Sequence, residues 1–209
     1  NLNKFGYQVI GLARNEPQEK YNFIFEKCDV RNLNSVKSFF SKVKKDTDIY
    51  GLLNVAGVAA MNLLVTTPEE TINNIINTNL TGTIYCTKEI IPCFVKSKTG
   101  RIINFSSFAV KIGLQGESVY IASKAGVEGF TRSVARELAP FNVTVNCISP
   151  GPIKTKLTNK VPSSYIDKVI QQQIINKQCT KEDIFKSVKL ILNPESDKIT
   201  GENFVIGGF

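Results

Sequence analysis

Apolar residues in this chain follow two alternating rhythms. Short β-prone runs stand at residues 7–13 (YQVIGLA), 22–30 (NFIFEKCDV), 49–57, 101–105 and 143–149. Between them the apolar positions recur at three- and four-residue steps, the period of a helix. Val36, Phe39, Phe40 and Val43 do so within 33–45, and Val127, Phe130, Val134 and Leu138 do so from Val119 onward. Thr67-Pro68-Glu69-Glu70 predicts a helix start, with a capping threonine, proline at the first helical position and glutamate at the third. Thr180 with Asp183 predicts the cap of a last helix reaching Leu192, and residues 199–205 lead into a last strand. The opening NLNKFG reads as the final turn of a helix stopped at Gly6. Strands alternating with helices predict a parallel sheet covered on both faces.

Composition narrows this to one domain over residues 1–209. At 209 residues and 42% hydrophobic, the chain can bury a single sizeable core. No run approaches the roughly 18 apolar residues of a membrane span and no signal peptide is visible, so a cytoplasmic protein without a membrane partner is expected. Cys28, Cys86, Cys93, Cys147 and Cys179 make an odd set without paired spacing, which suggests reduced thiols. Histidine is absent, which excludes a Ser-His-Asp triad and histidine-ligated metal, and no metal is expected. The net charge of +8 comes from scattered lysines with no RNA-binding motif, so no nucleic-acid partner is expected. Lys96, Lys98 and Arg101 are either a solvated surface or a basic rim that attracts an acidic protein carrying the substrate.

Chemistry concentrates in residues 101–138. The apolar run ends in Ser106 and Ser107, a turn-rich passage holds Gly113 and Gly116, and Tyr120 and Lys124 then stand one helical turn apart on the same face. A phenol with its ordinary pKa of about 10 is a poor acid or base near neutrality. A neighbouring ammonium is expected to lower that value, making Tyr120 usable in proton transfer with a carbonyl or an alcohol. Ser107 could hold the reacting oxygen, and hydride from a nicotinamide would complete a carbonyl reduction.

A Tyr-x-x-x-Lys pair alone discriminates poorly in a chain with 26 lysines and arginines, but its surroundings do not. Ser107 lies thirteen residues before Tyr120, and YIASKAGVEGFTRSVARELAP is similar to the active-site helix of the short-chain dehydrogenase/reductase family. The whole chain resembles that family. The resemblance implies a Rossmann-like, doubly wound parallel sheet with helices on both faces. It implies catalytic roles for Ser107, Tyr120 and Lys124, with Asn79, in Asn77-Thr78-Asn79-Leu80, holding a water in a proton relay behind the lysine. It places Asp29 and Val30 against an adenine, Lys124 and Tyr120 on the nicotinamide ribose, and Asn54, Ala56 and Gly57 (Asn54-Val55-Ala56-Gly57) in a cofactor-binding turn. Val55 departs there from the family's second asparagine. Pro150, Gly151, Ile153 and Thr155 correspond to the segment that anchors the nicotinamide. At the end of the strand at 7–13 the family's NAD-binding members have an acid, whereas Arg14 implies NADP(H).

Within the family the chain looks most like 3-oxoacyl-acyl-carrier-protein reductases, which implies NADPH-dependent reduction of a carrier-bound 3-oxoacyl thioester in fatty acid synthesis. Another alcohol or sugar dehydrogenase, or a catalytically silent member acting as a binding protein, remains open. Residues 156–178 would be the substrate lid, and a homotetramer built on the two long helices, with Gly126 and Gly129 permitting close contact, is expected. Members of the family begin with a strand, a Gly-x-x-x-Gly-x-Gly loop and a helix that together cradle a pyrophosphate. No such loop occurs in these 209 residues. About 20 residues, enough for one strand and a loop, are therefore expected before Asn1. Without that strand the sheet would carry two unpaired edges in its middle, between the strands at 7–13 and 49–57.

Overall fold

A computed structural model of the chain describes residues 2–16, 22–46, 48–153, 155 and 163–209. In order they form β1 (Ile10–Ala13), β2 (Ile24–Lys27), α1 (Leu33–Asp46), β3 (Gly51–Asn54), α2 (Glu69–Ile76), α3 (Gly82–Ser97), β4 (Gly100–Phe105), α4 (Ala109–Ile112), α5 (Ser118–Leu138), β5 (Val143–Ser149), α6 (Ser163–Ile170), α7 (Lys181–Leu192) and β6 (Asn203–Val205). All strand pairs are parallel: β1 beside β2, and β3-β4-β5-β6 in a second sheet with Gly51 opposite Arg101 and Gly100 opposite Val143.

Burial follows from this layering. β5 is buried along its whole length and β4 along all but Phe105, as expected of central strands covered on both faces. Successive strand side chains point to opposite faces. Ile102 and Val145 accordingly pack with Val36 and Phe40 of α1, Ile90 and Phe94 of α3, and Val134 and Leu138 of α5. Ile103 and Ile148 pack on the other face with Val188, Ile191 and Leu192 of α7. Gly100 is needed where α3 turns into β4, because a Cβ there would sit 2.5 Å from the Phe94 ring.

The expected pair of free edges is present. β1 and β3 do not pair, and between them lies a cavity of about 590 Å³ whose walls include Gly11 and Leu12 from one edge and Leu52, Leu53 and Asn54 from the other.

Most helix bounds match the sequence rhythm, with local differences. Gly6 does end a short 3-10 turn (Leu2–Phe5) with φ of +84°. The Thr180 capping box at α7 is formed with Asp183. Thr67, by contrast, does not cap α2; its hydroxyl donates to the Leu63 carbonyl and Pro68 takes the cap position. The predicted helix through Asn77-Thr78-Asn79-Leu80 is not regular, since Asn77–Thr81 forms a π-helical turn that joins α2 to α3. Helix α4 lies in the turn-rich passage and α6 in the polar stretch before Gln178, where Ile166, Val169 and Ile170 nevertheless recur at helical steps. Of the expected lid, residues 156–162 lie outside the described residues.

Candidate active site

Helix α5 is the frame of the site. Its buried positions Tyr120, Lys124, Val127, Thr131, Val134 and Leu138 recur every three or four residues, so one face lies against the sheet. The first turn and a half of that face carries the reactive side chains to the carboxyl end of β4. There Ser107 follows Phe105 and Ser106, and the left-handed glycines Gly113 and Gly116 return the chain from α4 to the start of α5. The Ser107 hydroxyl lies close enough to the Tyr120 phenol to act on its pKa, and it accepts the Ala109 N–H at 3.2 Å. Lys124 Nζ donates to the Phe105 carbonyl at 2.8 Å and lies 5.9 Å from the centre of the Tyr120 ring. Ser107, Tyr120 and Lys124 are all buried. The expected trio therefore converges.

Its electrostatics differ from the sequence expectation. Burial pushes the Tyr120 phenol above its ordinary pKa, the Ser107 hydrogen bond pulls it back, and the Glu117 carboxylate pushes it up again. The Lys124 ammonium does not offset this burial. The ammonium is itself destabilised by burial, which brings its pKa down to about 8. Glu117, whose carboxyl is raised by burial, was missed by sequence reasoning, and its charge also bears on Tyr165 of α6. Its spacing, one turn before Tyr120, was the available signal.

Asn79 is fully buried in the π turn, a distortion often found at functional sites. Its Oδ1 accepts the Val58 N–H at 2.8 Å, while its Nδ2 donates to the Val58 carbonyl at 2.9 Å and to Ser123 Oγ at 3.0 Å. Both side-chain hydrogens are thus used, and the side chain fixes the 57–58 backbone against α5. Gly57 is exposed beside this clamp; a Cβ there would be 3.5 Å from both Lys124 Nζ and Asn79 Oδ1. A ligand lying on that bare backbone can therefore reach the ammonium.

The remaining expected cofactor residues divide into two groups. Arg14 is exposed just past β1, close enough to lower the pKa of Asp29 past β2, although the larger cause is the fork that Arg31 makes with the Asp29 carboxylate at 2.7 Å. Val30 is half-buried beside Gly82. Asn54 turns inward, donating from Nδ2 to Asn104 Oδ1 at 2.8 Å and Thr87 Oγ1 at 3.0 Å, so its side chain ties β3 to β4 and α3. Val55, Ala56 and Gly57 stand exposed after it. Pro150 and Gly151 form a turn held from two sides: the Pro150 carbonyl accepts the Phe108 N–H at 3.2 Å and the Gly151 N–H donates to Ile206 at 3.1 Å. Ile153 and Thr155 follow, half-buried. The basic rim is corrected: Arg101 is buried, its guanidinium donating to the Gly100 and Pro194 carbonyls and lying over the Tyr50 ring. Lys96 and Lys98 are exposed, but at the amino end of β4, away from Ser107.

Among the described residues no group of three or more potential metal ligands converges, and no helix is long and apolar enough to cross a membrane. A family model described as Enoyl-(Acyl carrier protein) reductase matches residues 3–209. The 3-oxoacyl-[acyl-carrier-protein] reductase FabG of Vibrio cholerae serotype O1 is 34% identical over 97% of this chain and 86% of its own length. The FabG of Buchnera aphidicola subsp. Acyrthosiphon pisum is 31% identical over 99% of this chain and 88% of its own. The solved structure "ElxO with NADP Bound" superposes with a TM-score of 0.88 at 29% identity, covering 97% of this chain and 88% of that one.

Proposed function

Because the chain belongs to the short-chain dehydrogenase/reductase family, we propose that it is an NADPH-dependent oxidoreductase that reduces a 3-oxoacyl thioester, carried on acyl carrier protein, to the 3-hydroxyacyl form. The observation that carries this reading is the convergence of the buried Ser107, Tyr120 and Lys124, with the Lys124 ammonium 5.9 Å from the centre of the Tyr120 ring. NADPH, when bound, supplies the hydride. The substrate carbonyl oxygen takes the place between Ser107 and Tyr120, accepting a hydrogen bond from the serine hydroxyl and the proton from the phenol. A phenol whose pKa is raised by burial keeps that proton at neutral pH, the form that reduction requires. Lys124 holds the nicotinamide ribose over the Gly57 backbone, and Asn79 holds that backbone in place through Val58. Pro150, Gly151, Ile153 and Thr155 anchor the nicotinamide; Arg14 receives the phosphate that distinguishes NADP from NAD, and Asp29 and Val30 border the adenine. We place the enzyme in the cytoplasm, which suits its free thiols, as one catalytic domain.

The reading is tested by NADPH oxidation with acetoacetyl thioester. Wild type should turn it over, and Tyr120→Phe should abolish turnover while leaving NADPH binding nearly unchanged. Turnover retained in Tyr120→Phe would refute the assignment of the proton donor. Oxidation of a polyol with no reduction of the thioester would instead mark an alcohol or sugar dehydrogenase.

A further inference from the structure

Resting on that reading, we propose that Glu128 is a positioning residue: through Ser106 it holds the β4 end that carries Ser107 in place against the helix that carries Tyr120 and Lys124. Glu128 lies on α5 one turn beyond Lys124 and is only 8% exposed. A buried carboxylate is costly unless it is hydrogen-bonded. It accepts from Ser106 Oγ at 2.7 Å, and Ser149 Oγ stands 3.4 Å from the same oxygen while reaching Asn203 Oδ1 at 2.7 Å. One carboxylate thus links the residue before Ser107, the residue before the Pro150-Gly151 turn and the first residue of β6. Two further contacts join α5 to this end of β4: Ser106 Oγ also reaches the Lys124 carbonyl, at the longer distance of 3.3 Å, and Lys124 Nζ donates to the Phe105 carbonyl at 2.8 Å. The second uses the head group assigned above to the ribose, so it weakens whenever Lys124 turns to a ligand. Glu128 takes no part in the chemistry and keeps the Ser107 segment in register throughout.

A second buried link supplies the comparison. Thr131, one turn further along α5, accepts from Asn104 Nδ2 at 2.9 Å and donates to the Val127 carbonyl at 2.8 Å, tying the same strand two residues further back. Three variants are compared: Glu128→Ala, Glu128→Gln, whose amide oxygen can still accept from Ser106, and Thr131→Val. Expected is a tenfold or greater fall in kcat for Glu128→Ala, with KM for NADPH changed less than about threefold. Glu128→Gln should recover to within about threefold of wild type, and Thr131→Val should lower thermal stability while leaving kcat within about twofold. Amide hydrogen exchange of the cofactor-free proteins gives a readout that needs no turnover: Glu128→Ala should speed exchange in residues 105–109 at least fivefold, and Thr131→Val should not. Unchanged exchange in that segment, or a Gln variant as impaired as Ala, would overturn the role of Glu128. A wild type inert toward thioesters would sink the proposed reaction, while the exchange result would still decide the positioning claim.

Discussion

Lys124 shows how far residue identity carries and where it stops. Its spacing from Tyr120 was legible in the sequence, because i to i+4 on a helix fixes a shared face. Its protonation was not, because that depends on burial, and the structure buries the ammonium against a single carbonyl. Arg101 and Glu117 were misjudged or missed for the same reason, since a run of letters does not say which way a side chain turns. The shift has a sign that can be measured. A lysine whose native pKa lies below its unfolded value, about 10.4, costs stability while both states are protonated. The full cost is present below pH about 8. Between there and the unfolded value the native state releases the proton and the unfolded state keeps it, so stability rises with pH. Lys124→Met should therefore unfold at higher urea than wild type at pH 7, by on the order of 3 kcal/mol, with the gain shrinking toward pH 10 and turnover lost. A variant less stable than wild type at pH 7 would show that the bond to Phe105 outweighs the burial. In wild type the rate of reduction should fall as pH rises through about 8, where the ammonium is lost; a flat profile to pH 9.5 would remove Lys124 from ribose binding in its charged form.

At the scale of elements, strong periodicity was read correctly and local distortion was not. α5, β5 and α7 match their expected bounds to within a residue or two because apolar spacing, turn glycines and the Thr180 cap all agree there. The π turn at Asn77–Thr81 leaves no mark in a pattern built on 3.6 residues per turn, yet it is what aims Asn79 at both Val58 and Ser123. Removing those bonds should be costly. Asn79→Leu leaves the Val58 N–H and carbonyl and the Ser123 hydroxyl without their partner, and should lower stability by about 3 kcal/mol in urea unfolding. Asn79→Asp, which keeps the acceptor for Val58, should lose less; equal losses would mean that the carbonyl and serine contacts carry the clamp. The glycines expected to permit helix packing between subunits also part company. A Cβ at Gly126 would meet Leu80 at 2.9 Å within the same chain, whereas Gly129 meets nothing nearer than Arg132 at 4.0 Å. Gly129 is accordingly the position at which the homotetramer implied by the resemblance is tested: if it forms on this face, Gly129→Phe should reduce the mass measured by light scattering without loss of fold, and an unchanged mass would rule that face out.

At the largest scale the described residues are dominated by a divided sheet. The sequence made the division foreseeable, because the run at 7–13 and the run at 49–57 are both apolar and yet neither carries the loop that the resemblance demands between sheet and pyrophosphate. What it could not give is the physical consequence, a cavity of about 590 Å³ between two rows of free strand N–H and C=O groups. Such edges invite pairing with another chain, and apolar walls of this extent attract apolar solutes. A chain expressed from Asn1 onward should therefore raise the emission of an environment-sensitive apolar dye such as anilinonaphthalene sulfonate at temperatures where circular dichroism shows intact helices, and one that carries the strand expected before Asn1 should not. It should also associate as concentration rises. Leu52 is half-buried on the β3 wall, and Leu52→Glu puts a charge inside that wall, so it should suppress both effects. A chain expressed from Asn1 that neither binds the dye nor associates would mean that the β1 and β3 edges close on each other in solution. The same titration with Tyr120→Phe should give the wild-type dye signal, since the cavity lining includes none of Ser107, Tyr120 and Lys124; a signal that follows Tyr120 would mean that dye and substrate share one site.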